Sequence, residues 1–192
     1  MIRKLVLTFI FVIALFQFPR IPFADYASAL DTEGWKIIES KYFTIFCHPE
    51  INMEKLNNRI AVKFYDDDWG RYSPKNKSVD KQVAEKFDRL FRKAEKILDM
   101  YPRRIHPIVK IFKNQSQLDK EYAKIFSSLD GKERISFYVH KYTTIYTSEA
   151  AISEGVIAHE MGHAIADHYF LILPPDKVGE LLSQFIELHL EE

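Results

Sequence analysis

The chain has 192 residues, of which 47% are hydrophobic and 14% aromatic, and its formal net charge at pH 7 is zero. This composition is that of a globular protein with enough apolar side chains for a core. The balanced charge argues against a nucleic-acid partner, which would require a clustered basic surface. Cys47 is the only cysteine, so an internal disulfide is excluded. The apolar run around it favours a buried thiol.

The N-terminus has the pattern of a secretory signal peptide. Two basic residues are followed by an apolar run at residues 5–18, and a small-x-small cleavage site ends at Ala29. We therefore predict residues 1–29 as a signal peptide and residues 30–192 as one domain, secreted or periplasmic. The alternative is an uncleaved anchor. The apolar run is shorter than the roughly 20 residues of a membrane span, so we expect no stable membrane insertion after cleavage.

The next segments predict short strands and a helix. Residues 35–39 and 42–47 are rich in β-branched and aromatic residues, which indicates two strands. Apolar residues at helical spacing predict a helix over residues 53–64. Residues 65–78 contain three consecutive aspartates, Gly and Pro, which favours a solvated loop. The aspartates lack the spacing of an EF-hand, so we expect no calcium site in this loop.

A clear apolar stripe predicts a long core helix at residues 79–100. Two prolines at 174 and 175 separate a helix at residues 150–170 from a last helix that runs to residue 190. Asp176 is the predicted N-cap of that last helix. The remaining predicted elements are a strand at 108–112, a helix at 116–126, and strands at 134–139 and 143–147.

The clearest chemical signal is the pattern His-Glu-x-x-His at residues 159–163. On a helix, His159 and His163 share one face, one turn apart, and can together hold a zinc ion. Glu160 projects about 100° away, so it suits the role of a base acting on a metal-bound water. The alternative is a surface helix with ordinary i, i+4 contacts. The apolar neighbours speak against it, because buried polar groups are costly when unpaired.

A catalytic zinc site takes three protein ligands and a water, so a third ligand must come from elsewhere. The metzincin pattern fails because Ala166 and Tyr169 stand where it requires Gly and His. His168 would point away from His163 on a continuous helix. The remaining common solution is a glutamate from the following helix. Glu180 and Glu187 are seven residues apart there and share a face, so periodicity alone cannot separate them.

Residues 156–187 resemble the gluzincin clan of zinc metallopeptidases, most closely its small secreted, peptidase MA-like members. These commonly follow the HExxH helix with a short Pro-containing loop and the motif Glu-Gly-Leu-Ala-x-Tyr-x-Glu. This chain has Pro-Pro and then Glu-Leu-Leu-Ser-Gln-Phe-Ile-Glu at residues 180–187. It departs from the pattern twice. Leu181 replaces the usual Gly, and Gln184 stands where some gluzincins have an Asp that bonds a metal-binding His.

The resemblance implies zinc as cofactor, with His159, His163 and Glu180 as ligands and Glu160 as general base. It implies a hydrolase that cleaves peptide bonds in a peptide or protein substrate by a Glu-assisted, zinc-bound water. Asp167 resembles the Asp of a His-Ala-x-x-Asp continuation, which makes it a candidate to orient a metal-binding imidazole. The alternative for Asp167 is a solvent-facing helix carboxylate.

The implied fold class is α+β and zincin-like: a small, mostly antiparallel sheet with packed helices, an HExxH helix and then a glutamate helix. In gluzincins an edge strand binds the substrate as an additional strand. Residues 143–147 or 135–139 are the candidates for that edge.

Large gluzincins carry a transition-state-stabilising His or Tyr in a later domain, which we do not expect here because the chain ends at Glu192. Substitutes for it are Tyr138, His140, Tyr142 and Tyr146. A rival hypothesis is a catalytically weak or inactive zincin-fold protein that binds or assembles partners in the cell envelope. The intact Glu160 argues against this hypothesis, because a binding protein has no use for a general base.

Overall fold

The structure is a computed structural model, and it describes residues 32–60, 77–126 and 134–190. The predicted signal peptide, nearly all of the predicted loop at 65–78 and the end of the predicted helix at 53–64 lie outside these ranges. The described residues from Glu33 onward belong to one compact unit. No described helix combines the length and the apolar character that crossing a membrane requires.

The described residues form one five-stranded sheet in the order β1-β2-β3-β5-β4. Two of its pairings, β2 with β3 and β3 with β5, are parallel, whereas the outer strands β1 and β4 pair antiparallel to their neighbours. The sheet is therefore mixed, and the expectation of a mostly antiparallel sheet was wrong. The strands are β1 (Lys36–Glu39), β2 (Thr44–Cys47), β3 (Ile108–Phe112), β4 (Ser136–Val139) and β5 (Thr144–Ser148).

The described residues also contain five α-helices, which is compatible with the predicted α+β class. Helices between β2 and β3 and between β3 and β4 provide the long crossovers that parallel neighbours require, and this explains why the sheet is mixed. The helices are α1 (Met53–Arg59), α2 (Val79–Leu98), α3 (Gln115–Phe126), α4 (Glu154–Tyr169) and α5 (Asp176–Leu188).

Local sequence explains where the two longest helices begin. Ser78 caps α2 by accepting a hydrogen bond from the Lys81 amide, and Ser153 caps α4 in the same way from Val156. The residue that precedes α5 is Pro175, which provides no side-chain cap. The prediction of Asp176 as N-cap was therefore wrong by one position, and Asp176 contributes its negative charge within the first turn instead.

The main core lies between the sheet and helices α2 and α4. Phe43, immediately before β2, meets Phe87 and Phe91 of α2 edge-on, with ring centroids 5.9 and 5.2 Å apart. The stripe predicted for α2 is therefore the face that packs on the sheet. On α4, the residues that join this core are Ile157, Ala158, Met161 and Ile165.

A smaller cluster that includes Phe137 and Tyr146 packs against α3. Lys110, at the centre of β3, is buried here and pairs with Glu121 of α3 at 2.8 Å. Its ammonium group also lies near the rings of Trp35 and Tyr146. A buried lysine requires such partners, because an unpaired buried charge is expensive.

The order of the strands decides which one can accept an extended ligand. Strand β4 lies at an edge of the sheet and also contacts α4. Strand β5 is enclosed between β3 and β4. Of the two candidates, the segment 135–139 therefore lies at an edge of the described sheet and the segment 143–147 does not. Substrate binding at this edge stays a prediction.

Candidate metal centre

The two histidines of the HExxH pattern lie on the side of α4 that faces α5. Their ring centroids are 5.1 Å apart. Both side chains are partly exposed, whereas Ile157, Ala158 and Met161 on the opposite side are buried in the main core. One face of α4 therefore holds the helix in place while the other presents two imidazoles.

Two glycines allow α5 to approach α4 closely. A Cβ atom at Gly162 would lie 2.8 Å from the Cα and Oγ atoms of Ser183 and from a methyl carbon of Ile186. A Cβ atom at Gly179 would lie 3.3 Å from Nδ1 of His163. Because neither glycine carries a side chain, the α5 backbone can pass near enough for its acidic residues to reach both rings.

The close packing brings together the three residues proposed as zinc ligands. Oε2 of Glu180 lies 3.7 Å from Nε2 of His159 and 3.5 Å from Nε2 of His163. One ligand atom from each of these residues lies within 4.8 Å of the other two. Tetrahedral zinc with bonds of about 2.0–2.2 Å separates its ligand atoms by about 3.4 Å. The three residues could therefore hold a metal ion.

Gln184 contributes to this cluster in a way that the sequence did not predict. Its side-chain amide donates a 2.8 Å hydrogen bond to Oε1 of Glu180, one turn earlier on α5. The other oxygen of Glu180 is thereby left facing the histidines. The departure from the gluzincin pattern at position 184 thus gives a residue that orients the candidate ligand Glu180.

Glu160 lies beside this cluster and is 5% exposed. Ser136 of strand β4 donates a 2.6 Å hydrogen bond to its Oε1. Burial raises the pKa of Glu160 above its usual range, while the bond from Ser136 and the charge of His159 oppose the rise. A cation held by the histidines would also favour the carboxylate. Oε2 of Glu160 receives no hydrogen bond from the part of the chain that the structure describes.

Burial has the opposite effect on the neighbouring imidazole. It lowers the pKa of His163, with the charge of His159 acting in the same direction and that of Glu180 opposing it. The lowered pKa favours the neutral form of the ring. A neutral imidazole is the form that coordinates metals.

Glu187 contacts the other side of the first histidine. Its Oε2 lies 3.4 Å from Nδ1 of His159, the ring nitrogen that does not face Glu180. A carboxylate that bonds this nitrogen would orient the ring and increase the basicity of the opposite nitrogen. The two glutamates therefore differ in position: Glu180 lies near Nε2 of His159, and Glu187 lies near Nδ1 of the same ring.

Asp167 was predicted to orient a metal-binding imidazole, but the imidazole that it contacts belongs to His140, which is not a candidate ligand. Its Oδ2 lies 2.7 Å from Nδ1 of His140, which follows strand β4. The side chain of Asp167 is 16% exposed, so the alternative of a freely solvated helix carboxylate also does not describe it. Asp167 acts on His163 only through its charge.

A cavity of about 770 Å³ opens beside His163 and Glu180. Among the four residues proposed to stabilise a transition state, Tyr138 and His140 line it. Tyr146 instead stacks on Phe137 in the smaller core cluster, with ring centroids 4.8 Å apart, and Tyr142 packs against the same cluster.

Sequence reasoning missed Ser136 entirely. A single serine in a predicted strand carries no signal, and its relation to Glu160 depends on where that strand lies in the sheet.

Comparisons with protein-family models, with curated proteins and with solved structures found nothing that matches this chain. The interpretation of the site therefore depends on its own residues and their geometry.

Proposed function

We propose that this protein is a gluzincin-type zinc metallopeptidase that hydrolyses peptide bonds outside the cytoplasm. The observation that carries the proposal is the meeting of His159, His163 and Glu180 at separations suited to tetrahedral zinc. The buried Glu160 beside them provides the base that hydrolysis requires. The extracytoplasmic location rests on the signal peptide predicted from residues 1–29.

Each residue has a definite task in this mechanism. When bound, zinc would act as a Lewis acid toward the scissile carbonyl and lower the pKa of its water. Glu160 accepts a proton from the attacking water through its free oxygen and passes it to the leaving amine. Ser136 keeps the carboxylate of Glu160 in one orientation. Glu187 and Gln184 hold the side chains of His159 and Glu180.

The surroundings of the site support an extended polypeptide as substrate. Strand β4 has an edge without a neighbouring strand in the described sheet, and such an edge can pair with an extended chain. The same strand carries Ser136, which bonds the base. The cavity wall formed by Leu173, Pro174 and Leu181 is apolar, which favours apolar side chains next to the scissile bond.

One observation favours the rival, a protein of the cell envelope that binds partners without cleaving them. Leu171, Ile172 and Leu188 are at least 78% exposed. Val178, Leu181, Phe185 and Leu188 also form an exposed apolar row along α5. Contiguous apolar surface of this kind commonly marks a binding site for another molecule.

A combined metal and activity experiment separates the two functions. The chain without residues 1–29 is analysed for metal and incubated with several unfolded proteins, with and without a chelator. We expect about one zinc per chain and cleavage that the chelator abolishes. Glu160→Gln should retain the zinc and lose hydrolysis, because Glu160 acts on water and is not a ligand. Absence of transition metal, or chelator-resistant cleavage, would contradict the peptidase. Zinc binding without cleavage would favour the rival.

A further inference from the structure

We propose that a second copy of this chain covers the outer face of α5, so that the protein is a two-fold dimer whose two α5 helices pack antiparallel. The outer face consists of four apolar residues on the side of α5 opposite its buried residues: Val178, Leu181, Phe185 and Leu188. The proposal concerns the assembly of the protein and does not rest on the proposed peptidase function.

Helix α5 has apolar residues on two sides, and the structure describes a partner for one of them. Ser183 and Ile186 on the inner side are buried and lie where a Cβ atom at Gly162 of α4 would meet them. The outer face is 38–78% exposed, and no member of it belongs to either core cluster of the described residues. Because a surface helix ordinarily has a single apolar stripe, the second stripe indicates a partner outside the described part of the chain.

The spacing of the outer face favours another helix as that partner. Its members follow one another at intervals of three, four and three positions, and at 100° per residue they fall within about 80° of arc. A narrow seam with this spacing is the pattern by which two helices interlock their side chains. A helix that lies in a membrane surface instead has a polar face rich in Lys and Arg, whereas α5 has one lysine and three acids.

The outer face is complementary to itself, because its intervals read the same from either end. In an antiparallel pair, Val178 of each copy lies opposite Leu188 of the other, and Leu181 lies opposite Phe185. A two-fold interface uses the same patch on both subunits in this way. The antiparallel arrangement also sets the positive end of each helix dipole beside the negative end of the other.

The charges of α5 do not oppose this pairing. Glu180 and Glu187 lie on the side of the helix that meets His159, so two copies do not bring these acids together. The positions that flank the outer face carry no acidic side chain, and they are Lys177, Leu182, Gln184 and His189.

The loop before α5 extends the interface. Its residues Leu171, Ile172 and Leu173 are 51–105% exposed, and in the antiparallel pair they lie toward the second copy's Leu188, the most exposed member of the outer face. At about 200 Å² for a fully exposed large side chain, the loop and the outer face together expose roughly 900 Å². A stable interface buries about 800 Å² on each partner, so this surface is large enough.

The test uses two variants whose new charges face each other only in the antiparallel pair. They are Val178→Lys and Leu188→Glu, examined singly and as an equimolar mixture. Tyr101→Glu is the matched control, because Tyr101 is 54% exposed and lies after α2, outside the outer face. Sedimentation equilibrium of the chain without residues 1–29 covers about 1–100 μM, since interfaces of this size have Kd values in the micromolar range or below. Urea unfolding verifies that each variant is folded.

We expect wild type and Tyr101→Glu to form dimers with a Kd of about 10 μM or tighter. Each charged variant alone should raise the Kd about 100-fold, because an unpaired charge enters an apolar seam at both ends. The mixture should recover dimers, because the introduced lysine then faces the introduced glutamate while the other end keeps its Val–Leu contact. In a parallel pair each position would face itself, and mixing would recover nothing.

Three results would overturn the proposal. The first is wild-type protein that remains monomeric at every concentration; if that monomer binds phosphatidylcholine vesicles and Leu188→Glu does not, a lipid surface is the occupant. The second is a dimer that persists in both charged variants, which would place the interface elsewhere. The third is a mixture of folded variants that stays monomeric, which would exclude the antiparallel pairing. None of these measurements depends on zinc or hydrolysis, so failure of the peptidase proposal leaves this one unaffected.

Discussion

Oε2 of Glu187 lies 3.4 Å from Nδ1 of His159, while Nε2 of the same ring lies 3.7 Å from Oε2 of Glu180. One imidazole is therefore approached at its two nitrogens by two carboxylates from α5. Nε2 is the nitrogen that His159 directs toward Glu180 and His163. This geometry makes Glu180 the candidate ligand and Glu187 the residue that orients His159.

The first prediction separates the two glutamates by zinc affinity. Glu180→Ala removes a ligand and should abolish tight binding. Glu187→Gln should weaken binding about 10- to 100-fold, the usual effect of removing a group that orients a ligand. The zinc affinity of wild type and of each variant is measured by competition with a chromophoric chelator.

The control for lost negative charge is Asp176→Asn, an exposed acid in the first turn of α5. Its affinity should stay within about threefold of wild type, because charges at the surface are screened by solvent and salt. If Glu187→Gln loses zinc while Glu180→Ala keeps it, the two assignments must be exchanged.

The second prediction concerns the close contact between α4 and α5. Gly162→Ala should destabilise the fold by about 1–3 kcal/mol, because the added Cβ meets the Ser183 backbone at 2.8 Å and the helices must separate. The zinc affinity of Gly162→Ala should fall together with its stability. Gly155→Ala on the same helix is the matched control. Its Cβ finds only an ordinary 3.7 Å contact with Glu187, so better helix propensity should stabilise it by up to about 1 kcal/mol.

Urea unfolding of the metal-free proteins measures both variants. Equal stability of Gly162→Ala and Gly155→Ala would show that the helices do not require the close approach at residue 162.

The third prediction concerns the hydrogen bond between Ser136 and Glu160. Ser136→Ala should lower kcat by about 10- to 100-fold, since a hydrogen bond to a charged group contributes about 1.5–3 kcal/mol. Zinc content should not change, because Ser136 contacts no candidate ligand in the described structure. Ser136→Thr keeps the hydroxyl and should retain most activity. An alanine variant with wild-type kcat would remove Ser136 from the mechanism.

The fourth prediction concerns Cys47, which is buried in strand β2. Burial raises the pKa of its thiol from 9.0 to about 12. The native protein should therefore resist alkylation at pH 8, and labelling should follow global unfolding in denaturant. Since the folded state disfavours the thiolate, this group stabilises the fold fully below pH 9, and the contribution is lost as the pH rises toward 12.

Comparison with Cys47→Ala measures this contribution, because all other titrating groups are shared. The difference in free energy of unfolding between the two proteins should narrow between pH 9 and pH 11. A difference that is constant with pH, together with rapid alkylation of the native protein at pH 8, would contradict the prediction.

Local pattern was sufficient for most of the secondary structure. The stripe through residues 79–100 predicted α2 because one helix face must be apolar to pack on a sheet. The strand at residues 108–112 was predicted at its observed bounds because its β-branched residues are buried in the middle of the sheet. The two parallel pairings were not predicted, because pairing depends on how α2 and α3 cross the sheet and not on any one segment.

By itself, the sequence determined that His159 and His163 share a helix face and that Glu160 follows between them, because four-residue spacing on a helix is a local property. Only the tertiary structure decided which nitrogen of His159 meets Glu180. It also placed Ser136 and His140 in the site, through contacts that join residues 24 and 27 positions apart. These relations depend on the approach of α5 at Gly162 and on β4 lying beside α4. Both result from packing between distant segments, which no local pattern encodes.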